Sequence, residues 1–185
     1  YIKARYDAQI RFIENTNEYY KNNFPHNKDI GDGNLFRFFV ERNLSLLAPN
    51  GSLTYVIPSA LMFEDGSQKL REYIFENYKV NFFYSFENRN KLFNNVDSRY
   101  KFALLQIINN KVQAQNINTK FMLLDTKDLY EDSLNIPYTT QLINDLSVEH
   151  KALFEFKSRQ DIPIMQKIFA KYKPLSPEYL DFRNE

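Results

Sequence analysis

Ser52-Leu53-Thr54-Tyr55-Val56-Ile57-Pro58-Ser59 is a short run of β-branched and aromatic residues closed by a proline that has no N–H to give to a sheet ladder. It reads as a strand over 52–57 ending at Pro58-Ser59. Just upstream, Pro49-Asn50-Gly51 is a turn whose glycine is free to take the positive φ that other residues resist. Downstream, from Gln68, the apolar residues Leu70, Tyr73, Ile74 and Tyr78 recur at helical spacing, with Lys69, Arg71, Glu72 and Glu76 on the outer side. That is an amphipathic helix laid on a sheet. Residues 80–86 read as a second strand, 88–99 as a polar loop enclosing Leu92 and Phe93, and 102–108 as a third strand. The last two strands pair as a hairpin with a long connection. A helix between the first two strands is what a parallel crossover requires, so an α/β layer architecture follows. Three strands and two helices make an incomplete sheet with an uncovered edge, which natural proteins usually protect.

Further upstream, Asn34 is placed to cap a helix. Leu35, Phe38, Phe39 and Arg42 mark one face of it and Phe36, Val40, Leu44 and Leu47 another, so it is expected to be mostly buried. Residues 1–32 are polar and Asn-rich, a helical or irregular lead-in that closes in the loop Asp29-Ile30-Gly31-Asp32-Gly33. Beyond Asn109 the pattern weakens. Residues 111–120 are polar, 121–124 are a short apolar run, and 125–144 mix weak helical signals. Ser158 or Asp161 then caps a last helix with Pro163 in its first turn and Ile164, Ile168, Phe169 and Tyr172 on one side.

Composition narrows the functional classes. Hydrophobic residues make up 43% and aromatic ones 16% of the 185, enough for a sizeable core and too much for a disordered chain. A formal charge of +1 is too balanced to argue for a nucleic-acid or membrane partner. Without cysteine, and with the isolated His26 and His150, the usual metal sites are not expected. No apolar run approaches the roughly 20 residues of a membrane span, so the expected location is cytoplasmic. Neither a Gly-x-Gly-x-x-Gly nor a Gly-x-x-x-x-Gly-Lys motif occurs, and Gly31 and Gly33 do not follow a strand as a phosphate loop would.

Certain runs are more informative together. Asn34-Leu35-Phe36-x-x-Phe39-x-Glu41-x-x-Leu44-x-Leu46-Leu47 leads through Pro49-Asn50-Gly51 to Val56-Ile57-Pro58-Ser59. Lys69-Leu70-Arg71 opens the next helix, Phe86-Glu87-Asn88-Arg89-x-Lys91-Leu92-Phe93 follows the second strand, and Asp97-Ser98-Arg99-Tyr100-Lys101-Phe102 opens the third. Phe154-Glu155-Phe156-Lys157-Ser158-Arg159-Gln160-Asp161 comes after them. In this order, over nearly the whole chain, the set resembles the back half of adenine-N6 DNA methyltransferases, in particular the methylase region of type IIG restriction-modification enzymes and related phage-exclusion methylases.

The resemblance implies a partial Rossmann-like fold for an S-adenosylmethionine-dependent methyltransferase, of which this chain holds the later strands and helices. Residues 1–110 would be the C-terminal half of the catalytic domain. Residues 111–185 would form a mixed, mainly helical connection toward a target-recognition domain. The implied partner is double-stranded DNA with a flipped adenine, alongside the rest of a parent polypeptide, with no membrane partner. The family's glycine-rich cofactor turn, its acidic cofactor residue and a complete Asp/Asn-Pro-Pro-Tyr/Phe are absent from these residues. No cofactor-binding residue is therefore assigned, and the chain alone is expected to be inactive. The type IIG likeness suggests a nuclease in the parent, but nothing in these residues can cleave DNA.

Tyr1-Ile2-Lys3 looks like the end of that tetrapeptide, which would make Tyr1 a catalytic-site aromatic stacking on the base; alternatively it is an arbitrary first residue. By the same resemblance Phe93 is the second stacking ring, against the plainer reading of core packing beneath a long loop. Arg89, Lys91, Arg99 and Lys101 surround that loop as candidates for phosphate contact, or are simply solvated. Asp97 reads as a turn residue rather than a catalytic acid. Pro58 and Ser59 sit where an open α/β sheet meets its ligand crevice, although strand termination explains them as well. Lys157 and Arg159 either touch DNA or belong to a solvated helix entry. The alternative to the methyltransferase is a non-catalytic α/β module, complete in itself, that binds a protein through its aromatic surface.

Overall fold

The computed structural model describes residues 2–27 and 34–172. Strands β1 (Ser52–Pro58), β2 (Lys79–Glu87), β3 (Lys101–Ile108), β4 (Asn116–Leu123) and β5 (Ile136–Thr139) form one mixed sheet in the order β1-β3-β2-β4-β5. β3 lies antiparallel between β1 and β2, with Leu105 opposite both Tyr55 and Phe83. β1 and β2 therefore run parallel, and helix α4 (Gln68–Asn77) makes the crossover between them. This is a partial Rossmann-like α/β arrangement, and the hairpin of β2 and β3 carries the long loop that the polar stretch anticipated. Among the described residues no strand pairs with the outer side of β1.

One face of the sheet carries Ile57, Phe83, Leu105, Ile107 and Ile117 into the core. There they meet Val40 and Leu44 of α2 (Leu35–Leu44), Leu70 and Ile74 of α4, and Leu142 and Ile143 of α5 (Thr140–Leu146). Each large apolar side chain so buried contributes on the order of 1.5 to 3 kcal/mol. Alternate residues on the other face, such as Val56, Leu104 and Tyr84, are half-buried or exposed.

Asn34 caps α2 as expected, its side chain accepting from the Phe36 N–H. The helix is not buried on two faces, however. Phe38, Val40, Glu41 and Leu44 are inside, while Leu35 and Phe39 stand exposed. Glu41 is turned inward because it accepts from the His26 N–H and the Asn27 Nδ2 of the preceding turn. At the following turn the positive φ falls on Asn50, at 60°. Gly51 is needed for a different reason: a Cβ there would lie 2.9 Å from the Ala48 carbonyl oxygen.

Arg71, placed by helical spacing on the outer side of α4, is instead fully buried. Its guanidinium donates from Nη1 to the carbonyls of Leu61 and Glu64 and from Nη2 to that of His150, so backbone oxygens meet the outer end of the charge.

Residues 116–123 and 136–139 extend the same sheet, where the sequence signalled a short apolar run and weak helical tendencies. β4 pairs in parallel with β2 and β5 antiparallel to β4. Thr119 and Lys120 obscure the alternation of β4. Both are buried, and Lys120 Nζ is satisfied by the carbonyls of Leu129 and Glu131, each at 2.8 Å.

The chain then returns to the sheet at residues 153–156, where the Leu153 N–H donates to the Met62 carbonyl at 2.9 Å and Phe156 joins the core. Helix α6 (Asp161–Lys171) rests on α5 through Gln166 and Asp145. The long helix α1 (Ile2–Asn23) buries none of its residues among those described.

Candidate functional site

Strand β1 ends at Pro58, and Ser59-Ala60 turns at once into the short helix α3 (Ala60–Phe63). Opposite lies the loop that joins β2 to β3. Between them opens a cleft of about 1010 Å³, bordered by Pro58, Ser59, Phe63, Phe93, Arg99 and Glu155. It stands at the carboxyl end of a strand parallel to its crossover partner, the usual location of ligand crevices in open α/β sheets.

Phe93 is 44% exposed on this cleft. Its ring meets Phe102 edge-on, with centroids 4.8 Å apart and planes at 83°, and Phe102 in turn stacks on Phe86 at 5.1 Å. Rings in such contacts gain about 0.5 to 1.5 kcal/mol beyond the area they bury. Phe93 is thus anchored on one side and open on another, so it is not simply core packing beneath the loop.

The loop itself is built around Asn88, a residue to which the sequence pattern gives no role. Asn88 has no exposed surface. Its Oδ1 accepts from the Phe93 N–H at 2.9 Å, and its Nδ2 donates to the Phe93 and Val96 carbonyls, each at 2.9 Å. Lys91 supports the turn in the left-handed region at φ 56° and donates from Nζ to the Val96 carbonyl at 3.1 Å.

The other basic candidates each have an acidic neighbour. Arg89 Nε lies 2.5 Å from Glu87. Arg99 binds Asp97 through Nε at 3.0 Å and Nη2 at 3.1 Å, and these bonds hold the Asp97 carboxyl below its ordinary range. Asp97 also accepts from the Arg99 backbone N–H, which makes it a turn residue. Lys101 bonds to Glu155 and lies 3.5 Å from Glu87. Partial desolvation opposes its charge, but the Glu155 bond and the two carboxylates outweigh this and raise its pKa.

Glu155 is the second residue that no sequence signal assigned to the site. It reaches the cleft from the returning segment, accepts from Ser85 Oγ at 2.8 Å, and closes a Ser85–Glu155–Lys101–Glu87 network across the ends of β2 and β3.

Tyr1 lies outside the described residues, as do Gly31 and Gly33. Arg159 donates from Nε to the Asn135 carbonyl at the foot of α6, away from the cleft. His26 stacks on Tyr73 at 3.8 Å, and His150 faces Asp65 at 3.4 Å. Among the described residues there is no group of three or more His, Asp or Glu suited to a metal ion, and no helix long and apolar enough to cross a membrane. Neither does a glycine follow β1 or β2, where Pro58-Ser59 and Asn88-Arg89 stand. Among the described residues, the glycine-rich strand-to-helix turn by which the family resemblance implies S-adenosylmethionine is held does not occur at either of these strand ends.

The sequence model of a family described as Eco57I restriction-modification methylase matches residues 1–93, half of the 185-residue chain. No curated protein is detectably similar. Among solved structures, the type IIG restriction endonuclease BpuSI is similar over 54% of this chain and 11% of that one, at 14% identity and a TM-score of 0.39. The chain spans a small part of that enzyme.

Proposed function

We propose, on the premise that the chain belongs to the Eco57I restriction-modification methylase family, that its cleft is the substrate wall of a DNA adenine-N6 methyltransferase of a restriction-modification system. The methyl donor is S-adenosylmethionine, held by other elements of the parent polypeptide, so that these residues alone do not turn over. The enzyme works in the cytoplasm on duplex DNA. Residues 1–110 act as the C-terminal half of the catalytic domain, and 111–185 as the connection toward target recognition, a division of roles within one shared sheet.

The observation that carries this reading is the half-exposed ring of Phe93, fixed by Phe102 at the mouth of a cleft beyond β1. The amino group of adenine is hidden in the duplex, so its nucleotide must swing out of the stack at a cost of a few kcal/mol. Each aromatic face offered to the extruded base returns roughly 1 to 3 kcal/mol, so two rings come close to offsetting that cost. Phe93 supplies one, and Tyr1 is the proposed second.

Arg99, which borders the cleft, and Arg89 and Lys91, on the loop that carries Phe93, are assigned to the phosphates. The arginines of the Arg89–Glu87 and Arg99–Asp97 pairs are highly exposed, where solvent and salt screen the attraction, so a phosphate competes with the carboxylate. Lys101 is the less available cation, because it bonds Glu155 and faces Glu87. It is kept as a candidate on geometry alone.

The test is Phe93→Ala in the full-length enzyme. Methylation falls by roughly ten- to a hundredfold, the equivalent of one lost base stack, while the melting temperature drops by no more than about 6 °C, the size of the lost Phe102 contact. Unchanged turnover would remove Phe93 from the site.

A further inference from the structure

We propose that Asn88 is the positioning residue of this site: its buried carboxamide is the template that folds residues 91–97 and presents the Phe93 ring to the base. The inference rests on the reading of Phe93 given above. It begins from a geometry that a merely space-filling residue would not need.

Asn88 exchanges two hydrogen bonds with the backbone of a single residue, taking the Phe93 N–H on Oδ1 and giving Nδ2 to the Phe93 carbonyl, both at 2.9 Å. A second Nδ2 donation reaches the Val96 carbonyl, also at 2.9 Å. The side chain pairs with Phe93 much as a facing strand would. The partners, one N–H on one end and the carbonyls of Phe93, Val96 and, at 3.5 Å, Asp97 on the other, fix which end of the amide is oxygen and which is nitrogen. Asn88 is itself tethered to the residue that leads into β3, its N–H donating to the Tyr100 carbonyl at 3.1 Å. The position of the Phe93 backbone is therefore set from the sheet through one carboxamide.

No other side chain reproduces this. Aspartate keeps the acceptor for the Phe93 N–H but sets a carboxylate against two carbonyls. Alanine leaves the buried groups unpaired, and glutamine is a methylene too long. Apart from this clamp the loop is held by its own bonds, Lys91 Nζ and the Val96 N–H to carbonyls within it and Arg99 to Asp97, none of which ties Phe93 to the sheet. Residues 89–97 are exposed, and Asn94 and Asn95 contribute no hydrogen bond of their own.

The test is a double-mutant cycle in the full-length enzyme, with methyl transfer to unmethylated DNA measured at saturating donor and DNA. Asn88→Asp lowers kcat roughly ten- to a hundredfold, the size of the Phe93→Ala loss, and leaves the KM for S-adenosylmethionine unchanged. The double variant is no slower than Phe93→Ala alone, because Asn88 acts only through that ring. Additive losses overturn the proposal, since they mean Asn88 works through something else. An Asn88→Asp enzyme as fast as the unmodified one also overturns it while Phe93→Ala remains slow, and in that case the reading of the cleft survives. If Phe93→Ala is itself without effect, both fall.

Should the Asn88 variants not fold, amide hydrogen exchange in the unmodified protein decides. The Phe93 N–H then exchanges at least about tenfold more slowly than those of Asn94 and Asn95. Equal exchange at the three positions overturns the clamp.

Discussion

Arg71→Met in this chain should be among the most destabilising single changes outside the apolar core. Arg71 is completely buried, and among the described residues no carboxylate bonds to its guanidinium. Nη1 donates to the Leu61 and Glu64 carbonyls at 2.9 and 2.5 Å, and Nη2 to the His150 carbonyl at 2.8 Å. The first acceptor lies within the α3 turn that borders the cleft and the second caps its end, and the third anchors the segment that goes on to deliver Glu155. Desolvation lowers the pKa of the guanidinium to about 10 against the pull of Asp65, Glu72 and Glu64, and it remains charged at neutral pH.

Methionine keeps most of the aliphatic packing but orphans three carbonyls, each costing about 1 to 3 kcal/mol if left dry. Release from burying a cation, itself a penalty of several kcal/mol, returns much of that. The net loss is about 2 to 4 kcal/mol. For a chain of this length that lowers Tm by about 4 to 16 °C, and calorimetry or urea denaturation reads it directly. Arg71→Lys should recover part of the loss, because a single ammonium cannot span acceptors on both sides. An Arg71→Met protein within about 0.5 kcal/mol of the unmodified chain would refute the reasoning, because surface substitutions behave that way.

Gly51→Ala should destabilise by more than about 1 kcal/mol in thermal melts, since the new methyl would sit 2.9 Å from the Ala48 oxygen and the backbone has to move. Lys91→Ala should weaken DNA binding by the full-length enzyme almost independently of sequence and reduce the slope of log K against log salt by about one, as read by fluorescence anisotropy. Burial pushes the Tyr138 hydroxyl up to about 12, so the folded state keeps a proton that the unfolded state releases near pH 10. Its contribution to stability is thus complete below pH 10 and fades as the pH rises toward 12, and Tyr138→Phe should flatten the alkaline limb of a denaturation series. The chain of residues 1–185 should give no calorimetric sign of S-adenosylmethionine binding tighter than about 1 mM.

The legible parts of this molecule are those written in local chemistry. β1, α4, β2 and β3 follow from apolar spacing, the Asn34 cap from its own side chain, and the exposed loop with Phe93 from a polar stretch between two strands. What escaped was set by tertiary partners. Arg71 looks like a solvent-facing helical cation until three carbonyls from residues 61, 64 and 150 surround it. Lys120 hides the alternation of β4 because its charge is met by the carbonyls of a later turn. Asn88 bonds to the backbone, which leaves no side-chain signature to find, and Glu155 meets Ser85 and Lys101 across separations of 70 and 54 residues. The cleft was therefore legible as a place, the carboxyl end of β1, and its hydrogen-bond network was not.

The most direct measurement is nucleoside mass spectrometry of DNA modified by the full-length enzyme and by its Phe93→Ala variant. N6-methyladenine, abundant with the first and reduced at least about tenfold with the second, is the expected result. A methylated cytosine instead, or N6-methyladenine in equal amounts from both proteins, contradicts the claim that this cleft grips an adenine.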